Sequence, residues 1–152
     1  MNRVLYSKAK EMLQHRSGTK IEDMYWIDGD TGEIVASALN EQQESAVKYS
    51  NAIKKAIKGK TNLVTMHTHP SSMPPSGADF NSAVEHEYMI SLVLCHDGKI
   101  IQYVANERIP IYIYERYVSE FKTEGLDEYN AQWEALVKLK KSYDIDFWEV
   151  RP

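Results

Sequence analysis

Residues 63–79 constrain this chain more than any other stretch. Leu63-Val64-Thr65-Met66 is a short apolar run with the character of a buried strand. It delivers His67-Thr68-His69-Pro70 at its C-terminal end, and Ser71 to Gly77, with its two prolines and three serines, follows as a loop. Ser76-Gly77-Ala78-Asp79 has the form of a capping box, which predicts a helix starting at residue 77. Alternation along a strand puts His67 and His69 on one side and turns Thr68 to the other. Pro70 stiffens the exit from the strand and fixes where the second imidazole points. Two imidazoles and a carboxylate can then close three sides of a metal tetrahedron. A catalytic zinc site needs such a set, with the fourth position left for water. Nitrogen and oxygen donors around an open position suit zinc better than calcium or magnesium.

The run from His67 to Asp79 resembles the signature of the JAMM (MPN+) metalloproteases, also called JAB domains. That signature is His-x-His-Pro, a Ser seven residues after the second His, and an Asp three residues further on; every fixed position is present here. The resemblance spans about residues 5–105 and is sharp only from His67 to Asp79. It implies a cytidine-deaminase-like α/β fold, a curved mixed or antiparallel sheet with helices on both sides. It also implies one catalytic Zn2+ on His67, His69 and Asp79, and hydrolysis of a peptide or isopeptide bond at a flexible tail, ubiquitin-like or other. Ser76 would stand beside the scissile carbonyl as an oxyanion donor, a role that contributes roughly 10²–10³ in rate. Asp79, as a ligand, would be less free to cap its helix. For Ser76 the plain alternative is that it only starts the helix.

Such a hydrolase needs a base, and the resemblance places it as a Glu at the start of the strand after the first helix. Glu22 occupies that place in Ile21-Glu22-Asp23-Met24 and shares a strand face with Met24 and Trp26. A solvated carboxylate at a strand start is the competing reading. Asp23 points to the other face, and Glu33, Glu41 and Glu44 fall in other elements. Glu85-His86-Glu87 lacks the second His of HExxH, so His86 reads as a solvent residue at a helix end, and His96 as a turn residue without a special role. Cys95, the single cysteine, lies in an apolar run and reads as a small core residue; Cys-based zinc sites and intrachain disulfides are excluded. Tyr103, Tyr112, Tyr114 and Tyr117 read as core and rim aromatics.

The remaining pattern predicts one α/β domain over residues 1–152. A helix over 4–16 carries Leu5, Ala9, Met12 and Leu13 on one face, with Gly18 as its stop. Strands at 22–28 and 33–37 flank the turn Asp28-Gly29-Asp30-Thr31-Gly32. Asn40 to Gln43 has the form of a capping box ahead of a helix carrying Ala46, Tyr49, Ile53, Ala56 and Ile57, ended by Gly59. Strands 90–95 and 100–104 form a hairpin, Ile111-Tyr112-Ile113-Tyr114 reads as a further strand, and a helix runs from Leu126 to Lys141 with Tyr129, Trp133, Leu136 and Val137 on one face. Residues 106–152 read as an accessory extension, a helix that packs on the sheet or binds a partner.

Composition narrows the function classes. A net charge of -4 and a pI near 5.7 argue against a nucleic-acid surface, and so against a RadC-like DNA-associated role. The lysines around Lys54-Lys55, Lys58 and Lys60, and around Lys138-Lys140-Lys141, fit solvated helix faces. No apolar signal segment or 18-residue apolar run occurs, so a cytoplasmic protein without a membrane partner is expected. The expected partner is a protein or peptide substrate, ubiquitin-like or other. It would enter as an added strand alongside the strand after Ile90, with small residues next to the cleaved bond. An interaction module in which zinc merely ties the loop to the strand is the alternative of another class.

Overall fold

A computed structural model describes residues 3–16, 22–39 and 49–150. The fold is mixed α/β: one six-stranded mixed sheet and, among the described residues, five helices. Helix α1 (Arg3–Arg16) precedes the hairpin of β1 (Met24–Asp28) and β2 (Ile34–Ala38). Then come α2 (Asn51–Ile57), β3 (Leu63–His69), α3 (Gly77–Glu85), β4 (Ile90–Cys95) and β5 (Ile100–Ala105). The chain ends with α4 (Ile111–Thr123), α5 (Glu128–Lys140) and β6 (Ile145–Val150). Sheet order is β2-β1-β3-β4-β5-β6; only β3 and β4 run parallel, and α3 makes the crossover between them.

The β1–β2 turn is set by its aspartate: Asp28 Oδ1 accepts from the N–H of Asp30 (2.8 Å) and of Thr31 (3.0 Å). Gly32 closes the turn with φ +77°, a conformation that a Cβ disfavours. Strand β3 is buried along its whole length, as an interior strand must be when both faces are covered. Its even residues Val64 and Met66 join Ile27, Leu92, Leu94 and Ile100 under Ala9, Met12 and Leu13 of α1. Its odd residues face the larger core, where Trp26, Phe80, Val93, Ile101, Leu136 and Leu139 pack. That alternation carries His67 and His69 to the α3 side of the sheet.

Several elements depart from the expectations above. Residues 111–114 are the first turn of α4, not a strand. Pro110 is the N-cap and its carbonyl accepts from the N–H groups of Ile113 and Tyr114, both at 3.1 Å. Just upstream, the buried Asn81 amide takes both backbone groups of Ile109, donating to its O (2.9 Å) and accepting from its N–H (2.8 Å). A segment held that way has no backbone groups left there for a sheet ladder. Beyond it, Tyr114, Tyr117, Val118 and Phe121 recur at helical spacing against the core. Residues 106–150 contribute more than one helix: β6 pairs with β5 along its length, and α5 buries Ala131, Ala135, Leu136 and Leu139.

Helix α2 starts at residue 51 because Ser50 caps it, its Oγ accepting from Ile53 N–H at 3.2 Å; Tyr49 lies before the helix. The capping box at 40–43, Ala46, Glu41, Glu44 and the stop at Gly18 lie outside the described residues. Strand β4 is paired on both sides, so it cannot accept an added strand, contrary to the expectation for the strand after Ile90. The sheet edges are β2 and β6. Among the described residues no helix is long and apolar enough to cross a membrane.

Candidate metal centre

The C-terminal end of β3 and the first turn of α3 bring His67, His69 and Asp79 together. His67 Nε2 lies 2.9 Å from His69 Nε2. Asp79 closes the triangle, with Oδ1 3.5 Å from His67 Nε2 and Oδ2 3.3 Å from His69 Nε2. Tetrahedral ligands at about 2.0–2.1 Å from a zinc stand roughly 3.3 Å from one another, so the three atoms are spaced as a coordination set requires. The group could hold a metal ion.

The tautomer supports this. His69 Nδ1 lies 2.9 Å from the carbonyl oxygen of Met73, which can only accept. Nδ1 therefore carries the proton, and a neutral His69 presents the Nε2 lone pair toward Asp79 and His67. In that form the two facing Nε2 atoms need a proton or a cation between them. His67 Nδ1 is buried and has no hydrogen-bond partner among the described residues.

Asp79 both caps and faces the imidazoles. Its Oδ2 accepts from Ser76 N–H at 2.8 Å, while Ser76 Oγ accepts from Asp79 N–H at 3.2 Å. The capping box is complete, so the expected conflict between capping and ligation does not arise: a carboxylate has lone pairs for both. Burial works against the Asp79 charge, but His67 and His69 outweigh it and hold the carboxyl well below the usual range. For His69 burial likewise opposes the charged form, and Asp79 overrides it, so that pKa is raised.

A cavity of about 520 Å³ opens over these residues, and Glu22 and Ser76 both line it. Glu22 leads β1 on the face of Met24, whose cross-strand partner is His67. Burial raises the Glu22 pKa, the two imidazoles lower it, and Asp79 raises it again. Asp23 is turned away and fully buried, its N–H bonded to Thr68 Oγ1 at 2.9 Å. Thr68 thus faces away from the cavity, as alternation requires. Cys95 is buried, its Sγ 3.5 Å from the Met73 carbonyl, and burial pushes the thiol up to about 12, which suits a core residue and not a nucleophile.

The loop that follows the second imidazole is anchored without any ion. Ser72 N–H donates to His69 O at 3.0 Å, and Ser72 Oγ accepts from Asp97 N–H at 3.0 Å in the β4–β5 turn. His96, in that same turn, donates its N–H to His69 O at 3.3 Å. Its Nε2 is buried without a partner among the described residues, and burial lowers its pKa. His96 is a turn residue, as expected, with its ring half-buried.

His86 differs from the expectation. It caps α3 but is half-buried, and its ring stacks on Tyr49 (centroids 4.9 Å apart) and on Tyr88 (5.3 Å). Trp26 Nε1 donates to Tyr88 Oη at 2.8 Å, and the hydroxyls of Tyr88 and Tyr49 lie 2.7 Å apart. Tyr49, Tyr88, Tyr103 and Gln132 all line the metal cavity. Sequence reasoning assigned none of them to the site. They arrive from four separate parts of the chain, and no local spacing links them to the histidines.

A scan against protein-family models and a search of curated proteins each return no match. The functional reading therefore rests on the geometry and on the His67–Asp79 motif.

Proposed function

We propose that this chain is a zinc-dependent metallopeptidase or isopeptidase of the JAMM type, cutting a peptide or isopeptide bond at a flexible tail. The observation that carries the reading is the convergence of Glu22 on the cavity of the His67–His69–Asp79 cluster. Three ligands and a separate carboxylate are what a hydrolytic zinc site needs; a staple needs no base. The loop is already tied through His69, Ser72 and the capping box, which leaves a purely structural ion little to add. The same three contacts therefore weigh against the interaction-module reading.

Zinc held by His67, His69 and Asp79 would supply Lewis acidity, making a water more acidic and polarising the scissile carbonyl. Glu22 takes the proton from the attacking water and later hands it to the leaving amine. Its half-buried position on the cavity wall, with a raised pKa, suits both halves of that exchange. Ser76 Oγ spends a lone pair on Asp79 N–H and keeps its own proton, which is free to donate to the developing oxyanion. Its capping role and its proposed catalytic role use different ends of the same hydroxyl. An extended tail finds its open sheet edge at β2, whose Ala38 pairs with Met24 at the cavity wall.

The test is Glu22→Gln. It is expected to keep the fold and one zinc per chain while hydrolysis of a mixed library of unstructured peptides falls by roughly 10²–10⁴. If the zinc-loaded wild-type chain cleaves nothing in such a library, or if Glu22→Gln cleaves at the wild-type rate, the proposal fails.

A further inference from the structure

Gln132 borders two cavities. It lines the metal cavity of about 520 Å³ and also a cleft of about 490 Å³ between α4 and α5. Tyr114, Glu115, Lys122 and Glu128 line the cleft as well. We propose that the α4–α5 cleft is a binding subsite for the polypeptide substrate, holding an extended segment that continues out of the metal cavity and carries a basic residue opposite Glu115. That the ligand is a polypeptide rests on the hydrolase reading above.

Three features fit this occupant. Gln132 Nε2 donates to Glu128 Oε1 at 2.9 Å. Glu128 is ionised, because Lys122 bonds it at 2.7 Å and holds its pKa down, so it can only accept. The amide orientation of Gln132 is thereby fixed, and its Oε1 makes no hydrogen bond among the described residues. A carbonyl oxygen with that freedom, on a side chain that borders both cavities, can accept from a peptide main-chain N–H.

The charge balance gives the side-chain preference. Lys122 neutralises Glu128, whereas Glu115 has no ion pair among the described residues. The cleft is left with one uncompensated negative charge, complementary to Lys or Arg.

The cleft also has a fixed position relative to the metal ligands. A Cβ at Gly77, in the first turn of the helix bearing Asp79, would stand 3.0 Å from Tyr114 Cδ1 and 3.1 Å from Ile111 Cδ1. Helix α4 is thus seated directly on the first turn of α3. A segment bound between α4 and α5 is held in register with the bond presented at the metal.

The experiment is a titration of zinc-loaded, ¹⁵N-labelled Glu22→Gln full-length chain with two unstructured dodecapeptides. They are identical except that one carries Lys and the other Glu at alternate positions. The Lys peptide should shift the backbone amides of Ser119 and Lys122 and the side-chain amide of Gln132 together with those around His69. In the same background Glu115→Lys, an exposed change that leaves the core untouched, should weaken the Lys peptide by about 2–5-fold and favour the Glu peptide. Gln132→Ala should weaken both peptides alike, by about 2–10-fold. Shifts confined to the metal cavity, no shifts at all, or no response of peptide preference to Glu115→Lys would overturn the subsite. Cleavage of the same peptides by the zinc-loaded wild-type chain is scored separately. Cleft shifts without cleavage remove the hydrolase and keep the subsite; cleavage without cleft shifts does the reverse.

Discussion

The face of the sheet under α1 and the face under α3 are built from the same strands by different rules. Under α1 the sheet presents Ile27, Val64, Met66, Leu92, Leu94 and Ile100, and its buried polar residues, Asp23 and Thr68, bond each other at one end. On the opposite side β3, β4 and β5 bury Thr65, His67, His69, Ser91 and Tyr103 among their apolar neighbours. The polar groups there answer one another across the strands. Thr65 Oγ1 donates to Ser91 Oγ at 2.8 Å, and Ser91 is the cross-strand partner of Tyr103. The exception is His67 Nδ1, and an unsatisfied buried polar atom costs about 1–3 kcal/mol. Bringing three polar ligands together inside the fold is costly, and apolar burial is what offsets that cost. One face supplies stability and the other spends it on convergence.

The comparison breaks most completely at the ligands. His67→Ala and Asp79→Ala should each lose the single zinc proposed for the wild-type chain, as read by metal content after dialysis; full retention in both would remove the assignment. The neighbouring residue gives the converse. Met66→Ala, on the α1 face, should cost about 2–5 kcal/mol in denaturant unfolding while the folded chain still binds one zinc. Zinc lost from folded Met66→Ala would show that the two faces are not separable. Between them in kind stands Gly77→Ala. Its new Cβ must push Tyr114 or Ile111 by a few tenths of an ångström, so about 1–3 kcal/mol is expected, with weakened metal affinity because Asp79 sits two residues on. A variant as stable as wild type with unchanged affinity would mean that α4 gives way freely.

What could be read in the chain beforehand follows the range of the forces involved. The strand, loop and helix of residues 63–79 are written locally: alternation aims the imidazoles, and the capping box places Asp79. Glu22 is singled out by the resemblance, which implies a Glu at the start of the strand after the first helix; strand parity adds only that it shares a face with Met24. The start of α4 reads as a strand in the sequence because Ile111-Tyr112-Ile113-Tyr114 has the β-branched and aromatic character of one. What decides against a strand is partly Asn81, 28 positions upstream, which takes up the backbone of Ile109. Strand β6 had a local signal that went unread: Ile145 and Phe147 are buried and alternate with Asp146 and Trp148. Tyr49, Tyr88 and Gln132 carry no such signal. Each reaches the cavity through packing between elements distant in sequence, which no spacing within one element encodes.

The smallest expected effect sets a turn carboxylate against the one beside the imidazoles. Asp28 holds the β1–β2 turn. The N–H groups of Thr31 and Asp30 lower its pKa, and the Asn62 side chain adds to them at 3.1 Å. A carboxylate whose folded pKa is depressed contributes stability that is complete above its unfolded value, about 3.9, and is lost as pH falls through the folded value. The amides of Asp30 and Thr31 should therefore shift together in an acid titration at a midpoint below about pH 3.9, while β3 amides under α1 stay unchanged. Asp79, half-buried and held well below the usual carboxylate range by the imidazoles, should keep its charge to more acid pH than Asp28. In Asp28→Asn the turn amides should lose this titration, with the rest of the hairpin intact because an amide oxygen still accepts. Turn amides that titrate alike in wild type and Asp28→Asn would assign the acid response to another group and leave the turn held by Gly32 and backbone bonding alone.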